Sequence, residues 1–95
     1  MNRTLLEKLA AKYVWWTTPG HALTTPDRVV AHVMNIGDYG DVQELIGSVG
    51  EADLRRVLVN AEIGQFNDRS WHYWHYRLAL CDVGQVPPLP TRQVA

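Results

Sequence analysis

Two histidines with a spacing used by metal sites lie in the second half of the chain. His72 and His75 stand three positions apart, which on an α-helix brings two side chains to the same face. A metal ion needs at least a third ligand, and the other candidates, His21, His32 and Cys81, show no recognised spacing. Histidine in an aromatic-rich helix also bonds readily to a nearby carbonyl. We therefore expect no metal site and no cofactor.

The single cysteine is the other residue that could react. His75 could activate Cys81 as a nucleophile, because a neighbouring base deprotonates a thiol. At helical spacing, however, Cys81 shares a stripe with Trp71, Trp74 and Leu78, which predicts a small buried side chain. The chain has no glycine-rich phosphate loop, nucleophile elbow or paired-carboxylate motif. We predict that the protein is not an enzyme; an enzymatic or metal-binding protein that uses the histidine pair and this cysteine is the second alternative.

The element that would position these residues is the segment 66–80, FNDRSWHYWHYRLAL, which holds five of the nine aromatic residues. On a helix with about 100° per residue, Trp71 and Trp74 share one stripe, and Tyr73 and Tyr76 form a second stripe on the other side. Such a helix is either the centre of a small domain or presents one face to a partner. We assign the tryptophans to the core and the two tyrosines to candidate partner contacts.

Two helices are predicted in the first part of the chain. Thr4 and Glu7 fit a capping box, and leucines at helical spacing follow them. A loop is predicted over residues 17–24. Thr25, followed by proline and aspartate, marks the start of the second helix, and Gly37 is suited to end it.

Two short helices and the aromatic helix are predicted to follow. Apolar residues recur at i, i+3, i+4 and i+7 over residues 42–49 and again over residues 54–61, and Gly64 is expected to close the second of these patterns. Asn67 or Asp68 can cap the aromatic helix. The chain shows no convincing alternating pattern, so we predict an all-α fold: a compact bundle of about five short helices.

The two short central helices, joined by a glycine-containing turn, could imitate a helix-turn-helix. A recognition helix needs groups near its N-terminus that read bases and contact phosphates. Glu51 and Asp53 occupy that end and would repel phosphates, whereas Arg55 and Arg56 would attract them. A small DNA-binding autoregulator that uses these two arginines is therefore the first alternative function.

The composition changes near residue 82, where glycine and then the sequence VPPLPTR begin a proline-containing stretch. We divide the chain into a helical domain, residues 1–81, and an extended tail, residues 82–95, partly in polyproline geometry. Leu89 and Arg92 of this tail are further candidate partner contacts. A terminal segment is ordered only if something ties it down.

Length and charge exclude several classes of protein. Ninety-five residues support one small core, and a formal net charge of −1 gives no general attraction to nucleic acid or anionic membranes. One cysteine excludes an internal disulfide framework. No apolar run approaches the roughly 18 residues of a membrane span. These features predict a cytoplasmic protein.

Four segments, YVWW, TPDRVVAHVMNIGDYGDVQEL, RSWHYWHYRLAL and PPLPTR, together resemble a group of small uncharacterised bacterial proteins. The resemblance covers most of the chain. Members of that group are often encoded beside nucleotidyltransferase-like toxins of the abortive-infection type, so the resemblance implies the antitoxin half of a toxin-antitoxin pair. It implies no catalytic residues. We therefore predict a protein-binding module that neutralises such a toxin by direct contact, and the oligomeric state stays open.

Overall fold

Within the part of the chain that the computed structural model describes, residues 3–14, 16, 18–82 and 84–90, the protein is helical and has no strand. The all-α prediction is confirmed for these residues, with six helices in place of about five. The helices are α1 (Arg3–Tyr13), α2 (Pro19–Ala22), α3 (Pro26–Ile36), α4 (Tyr39–Val49), α5 (Glu51–Val59) and α6 (Asp68–Arg77). No helix among these residues is long and apolar enough to cross a membrane.

The central helix of the bundle is α3. It packs against each of the other five helices, whereas α6 makes its main helix contact with α3 alone. Its buried residues are Val29, Val30, Ala31, Val33 and Met34, a set too wide for a one-sided amphipathic stripe. The radius of gyration of 13.4 Å is that of a compact domain of this length. The aromatic helix α6 therefore lies at the side of the domain and keeps one face in contact with solvent.

The best-marked helix boundaries are where the sequence predicts them. Thr25 occupies the N-cap position of α3, with proline directly after it, but its side chain makes no capping hydrogen bond; Gly37 is the C-cap residue. Asn67, one of the two predicted caps of α6, accepts a hydrogen bond from the backbone N–H of Ser70 at 2.8 Å. These boundaries depend on contacts within four residues, which is why the sequence predicts them well.

Other boundaries differ from prediction. α1 begins at Arg3, so Thr4 lies inside the helix and the predicted capping box is wrong; Glu7 instead pairs with the Arg3 guanidinium at 3.0 Å. The helix predicted to run to Gly64 ends at Val59. Its next residue, Asn60, turns its side-chain amide back onto the carbonyl of Arg56 at 2.9 Å, which closes the helix early.

The predicted loop over residues 17–24 contains the extra helix α2. The hydroxyl of Thr18 accepts a hydrogen bond from the backbone N–H of His21 at 3.2 Å, and the N–H of Ala22 bonds to the Thr18 carbonyl at 2.9 Å. This capped single turn is too short to show a helical period, so pattern analysis misses it.

The aromatic helix is predicted within residues 66–80, with Cys81 on the same stripe, but α6 ends at Arg77. Ala79 adopts a positive φ of 54°. Its backbone N–H donates to the carbonyl of Tyr76 at 3.1 Å, and the N–H of Leu80 donates to the carbonyl of His75 at 3.0 Å. This pair of bonds is the Schellman motif, which reverses the chain after a helix.

The described part of the tail contacts the helical domain. The indole N–H of Trp71 donates to the carbonyl of Pro87 at 2.7 Å, and the hydroxyl of Tyr76 accepts from the N–H of Gly84 at 3.1 Å. Leu89 is half-buried against the core. Arg92 lies outside the described residues.

Candidate functional site: the tyrosine groove

The two faces of α6 divide as the sequence predicts. Trp71 and Trp74 are buried, with exposed fractions of 5% and 1%. Tyr73 and Tyr76 are exposed by 51% and 40%. The assignment of the tryptophans to the core is confirmed, and the tyrosine face of α6 contacts solvent.

A groove of about 520 Å³ lies between this exposed face and the start of α4. Tyr39, the first residue of α4, and Tyr73 of α6 both line it, and we call it the tyrosine groove. Tyr39 is the most exposed large hydrophobic residue described, at 81%. The remaining lining residues are the mainly apolar Met34, Gly37, Val42 and Trp74, and the polar Asn35, Gln43, Asn67, Arg69 and Ser70.

Hydrogen bonds between α3 and α6 hold one wall of the groove in place. The indole N–H of Trp74 donates to the carbonyl of Met34 at 2.8 Å. Asn35 binds the start of α6 twice: its side-chain oxygen accepts from the N–H of Asn67 at 2.9 Å, and its carbonyl accepts from the hydroxyl of Ser70 at 2.9 Å. The groove is therefore formed before any ligand binds.

A second network fixes the other side of the groove, where Tyr39 begins α4. The side chain of Asp38 caps this helix by accepting from the N–H of Asp41 at 2.9 Å. Lys12 of α1 reaches both carboxylates, at 2.9 Å and 2.7 Å. The hydroxyl of Tyr13 donates to Asp41 at 2.6 Å and accepts from the N–H of Asp38 at 3.0 Å. We call these four residues, Lys12, Tyr13, Asp38 and Asp41, the α1–α4 clamp.

The charges of the clamp support one another. The N–H of Asp41 and then the Lys12 ammonium hold the pKa of the Asp38 carboxyl below its ordinary value. Lys12, followed by the Tyr13 hydroxyl, lowers the pKa of Asp41. Desolvation and the bond to Asp41 raise the pKa of Tyr13, and bonds to both carboxylates raise that of Lys12. At neutral pH the clamp thus combines two carboxylates, one ammonium and one neutral phenol.

Arg69 supplies the charge of the tyrosine groove. It stands four residues before Tyr73 on α6, so both side chains lie on the same face of the helix. It is exposed, and its side chain makes no hydrogen bond or ion pair with any residue in the described part of the chain. The groove contains no acidic side chain among its described lining residues.

The structure separates the three predicted partner contacts that it describes. Tyr73 lines the tyrosine groove. Tyr76 is not among the lining residues, and its hydroxyl bonds to Gly84 at the start of the tail. Leu89 packs against the core, and Arg92 is outside the described residues.

Both arginines of the DNA-binding alternative are engaged within the chain. The Arg55 guanidinium donates to the carbonyl of Leu78 at 2.9 Å and pairs with Glu51 at 3.2 Å. Arg56 bridges Asp53 at 2.7 Å and Asp27 at 2.8 Å. Contact with DNA phosphates would have to compete with these bonds.

The two histidines considered as ligands each face a carbonyl of their own helix. The Nδ1 atom of His72 lies 2.8 Å from the carbonyl of Asp68, and that of buried His75 lies 2.7 Å from the carbonyl of Trp71. Cys81 is half-buried beyond the end of α6. Within the described ranges, no three His, Cys, Asp or Glu side chains are grouped so as to hold a metal ion.

Another groove, of about 500 Å³, lies between α3 and the segment around α2. Trp16, His21 and His32 line it, and the ring centroids of Trp16 and His32 are 5.1 Å apart. Its charged residues, Arg28 and Glu62, satisfy each other through a two-pronged ion pair with a shortest distance of 2.9 Å. Because the two charges of that pair neutralise each other, this groove has less unpaired charge for attracting a charged partner than the tyrosine groove has.

Sequence reasoning missed two residues of the tyrosine groove, Tyr39 and Arg69. Tyr39 directly follows Asp38, a residue type that favours the N-cap position, so Tyr39 is expected to begin the helix. Arg69 has no acidic residue three or four positions away on α6. Both signals are present in the sequence, but neither tells which surface the two side chains share.

Comparison of the chain with protein-family models, with curated proteins and with solved structures gives no match. The fold and the site therefore define the protein at the level of a class. Within the described ranges it is a small all-helical domain that presents a tyrosine-flanked groove, and the arginine of that groove has no ion-pair partner among those residues.

Proposed function

We propose that this protein is a binding module that contacts another protein through the tyrosine groove. The proposal is carried by Tyr39 and Tyr73, two largely exposed aromatic side chains that flank one groove. Tyrosine buries a large rigid area at little entropic cost and is enriched among the residues that dominate interface energies. Covering these rings with a partner removes apolar surface from water.

The rigidity of the groove supports the same proposal. Association costs free energy when side chains and loops must be ordered, and preformed sites reduce that cost. Here the bonds from Asn35 and Trp74 fix the α3–α6 wall, and the α1–α4 clamp fixes the start of α4.

For the partner, we propose a nucleotidyltransferase-like toxin that the module neutralises by direct contact. The resemblance of the chain to proteins encoded beside such toxins supports this choice, and the groove supplies a surface for the contact. Tyr76 and Leu89 remain candidates for secondary contacts, and so does Arg92, which lies outside the described residues.

The test is coexpression with the neighbouring toxin gene, followed by copurification and growth rescue. We expect the natural chain to copurify with the toxin and restore growth. Truncating both groove tyrosines, Tyr39→Ala with Tyr73→Ala, should weaken binding by about 2 kcal/mol or more, as for hot-spot aromatic residues. The fold should persist, because both side chains are exposed.

Ile63→Ala is the matched control, because Ile63 is a large exposed apolar residue outside the groove. It should leave binding and rescue unchanged. If the natural chain neither copurifies with the toxin nor restores growth, the antitoxin proposal is wrong. A shift of its own promoter DNA that is lost on changing Arg55 and Arg56 would then establish the DNA-binding alternative.

A further inference from the structure

We infer that the tyrosine groove selects an acidic segment of a partner protein, with a partner carboxylate pairing with Arg69. This inference rests on the proposed function, because it takes the groove to be the contact surface. It adds the chemistry of the partner: one or more Asp or Glu side chains beside apolar residues that cover the tyrosines.

The first argument is the isolation of Arg69. Every other Lys and Arg side chain in the described ranges forms an ion pair with an acid of the chain. Arg69 is the exception: its side chain is exposed on α6 and forms no ion pair with these residues. In a chain with a formal net charge of −1, a cation without an internal partner is a specific feature of this surface.

The second argument is the position of that charge. Arg69 lines the same groove as Tyr73, Gln43 and Asn67, and none of the other described lining residues carries a charge at neutral pH. A planar guanidinium binds a carboxylate through two parallel hydrogen bonds, and it keeps its charge under all ordinary conditions. Amide and phenol groups beside it can bond the remaining oxygen lone pairs.

A protein segment fits this groove better than a nucleic acid. Nucleic-acid binding depends on several phosphate contacts made by a concentrated basic surface, whereas the groove offers one cation. The rest of its surface is aromatic, amide and apolar, with Trp74 and Met34 buried beneath it. Tyr and Arg together are the residue types enriched where proteins bind proteins most strongly.

The experiment uses the full chain and a phage-displayed library of random peptides. Peptides enriched on the immobilised protein are synthesised, and their affinities are measured by fluorescence anisotropy. We expect the enriched peptides to combine Asp or Glu with apolar residues and their affinity to fall as salt is added. Arg69→Gln should lower the affinity of the enriched peptides by about tenfold, because a charge-assisted bidentate pair is lost, and Arg69→Glu should lower it by more.

Arg3→Gln is the control for net charge. Arg3 is an exposed arginine on α1 outside the groove, and its replacement changes the total charge by the same amount. The affinity of the selected peptides should not change. Failure to enrich any peptide, enrichment of peptides without acids, or equal binding to the Arg69→Gln variant would each overturn the inference. So would displacement of the peptides by a random single-stranded oligonucleotide at lower concentration.

The outcomes for the toxin and for the peptides are separable. If the toxin binds through Tyr39 and Tyr73 but binds the Arg69→Gln variant equally well, the acidic-segment inference is wrong and the proposed function stands. If acidic peptides bind through Arg69 but the toxin does not copurify, the inference stands and only the identity of the partner is wrong.

Discussion

At the scale of single residues, Gly37 at the end of α3 and Gly47 inside α4 differ in whether they have room for a larger side chain. A Cβ atom at Gly37 would lie 2.4 Å from the carbonyl oxygen of Val33 and 2.9 Å from its Cγ1 atom. The backbone angle there is ordinary, with φ −64°, so space alone demands glycine. At Gly47, inside α4, a Cβ atom would meet nothing within 4 Å.

We predict opposite effects for alanine at these two glycines. Gly37→Ala should lower the free energy of unfolding by roughly 1–3 kcal/mol, as overpacking does. Gly47→Ala should raise it by roughly 0.5–1 kcal/mol, because alanine loses less conformational entropy in a helix. Chemical denaturation measures both variants. Equal effects of the same sign would contradict the steric account of Gly37.

At the scale of elements, the end of α6 contains the one non-glycine residue with positive φ in the described ranges, Ala79 at 54°. The Schellman bonds from Ala79 and Leu80 hold this reversal. A residue with a Cβ atom is strained in the left-handed region by roughly 1–2 kcal/mol. Turning the chain here directs the following residues back towards Tyr76 and Trp71.

Ala79→Gly should therefore stabilise the protein. The relief of strain exceeds the added entropy of the unfolded chain, so we expect a gain of roughly 0.5–1 kcal/mol in unfolding free energy. Ala11→Gly serves as the control, because Ala11 is exposed within α1 and has no positive φ; it should destabilise by roughly the same amount. Thermal and chemical denaturation compare the two. A loss of stability in Ala79→Gly would argue against the left-handed cap.

At the scale of the whole molecule, the α1–α4 clamp joins the first helix to the segment that carries Tyr39. Asp38 and Asp41 have pKa values below the ordinary 3.8 in the folded chain. As the pH falls, these two carboxylates therefore become protonated at a higher pH in the unfolded chain than in the folded chain. The clamp contributes its stability above about pH 4 and loses it progressively at lower pH.

We predict that the melting temperature falls as the pH drops through about 4, and that Asp41→Asn removes part of this fall. The variant should also melt lower than the natural chain at neutral pH, because Lys12 and Tyr13 lose a charged acceptor. In Asp82→Asn, the altered side chain is exposed and makes no described contact, so its profile should run parallel to that of the natural chain. An unchanged acid profile in Asp41→Asn would contradict the role of the clamp.

Local features of the fold follow from the sequence by itself. The helical period, the start of α3 after Thr25, the cap at Asn67 and the burial of Trp71 and Trp74 were all predictable. Caps and helical stripes depend on residues within about four positions, so the chain order contains the information. The boundaries that were wrong, at Thr4 and Gly64, are those where a nearby side chain, Glu7 or Asn60, makes a different local bond.

The tertiary structure alone decided which helix is central and which surface forms the site. Arg69 has no acid at helical spacing, but the same is true of Lys8, Arg28 and Arg77. Those three form ion pairs with Glu44, Glu62 and Glu51, respectively, on other parts of the chain. Only the packing of the helices shows that Arg69 has no such ion pair within the described residues. In the same way, Tyr39 and Tyr73 share a groove because α4 and α6 both pack against α3. Contacts between residues this far apart depend on how helices dock, which no local pattern specifies.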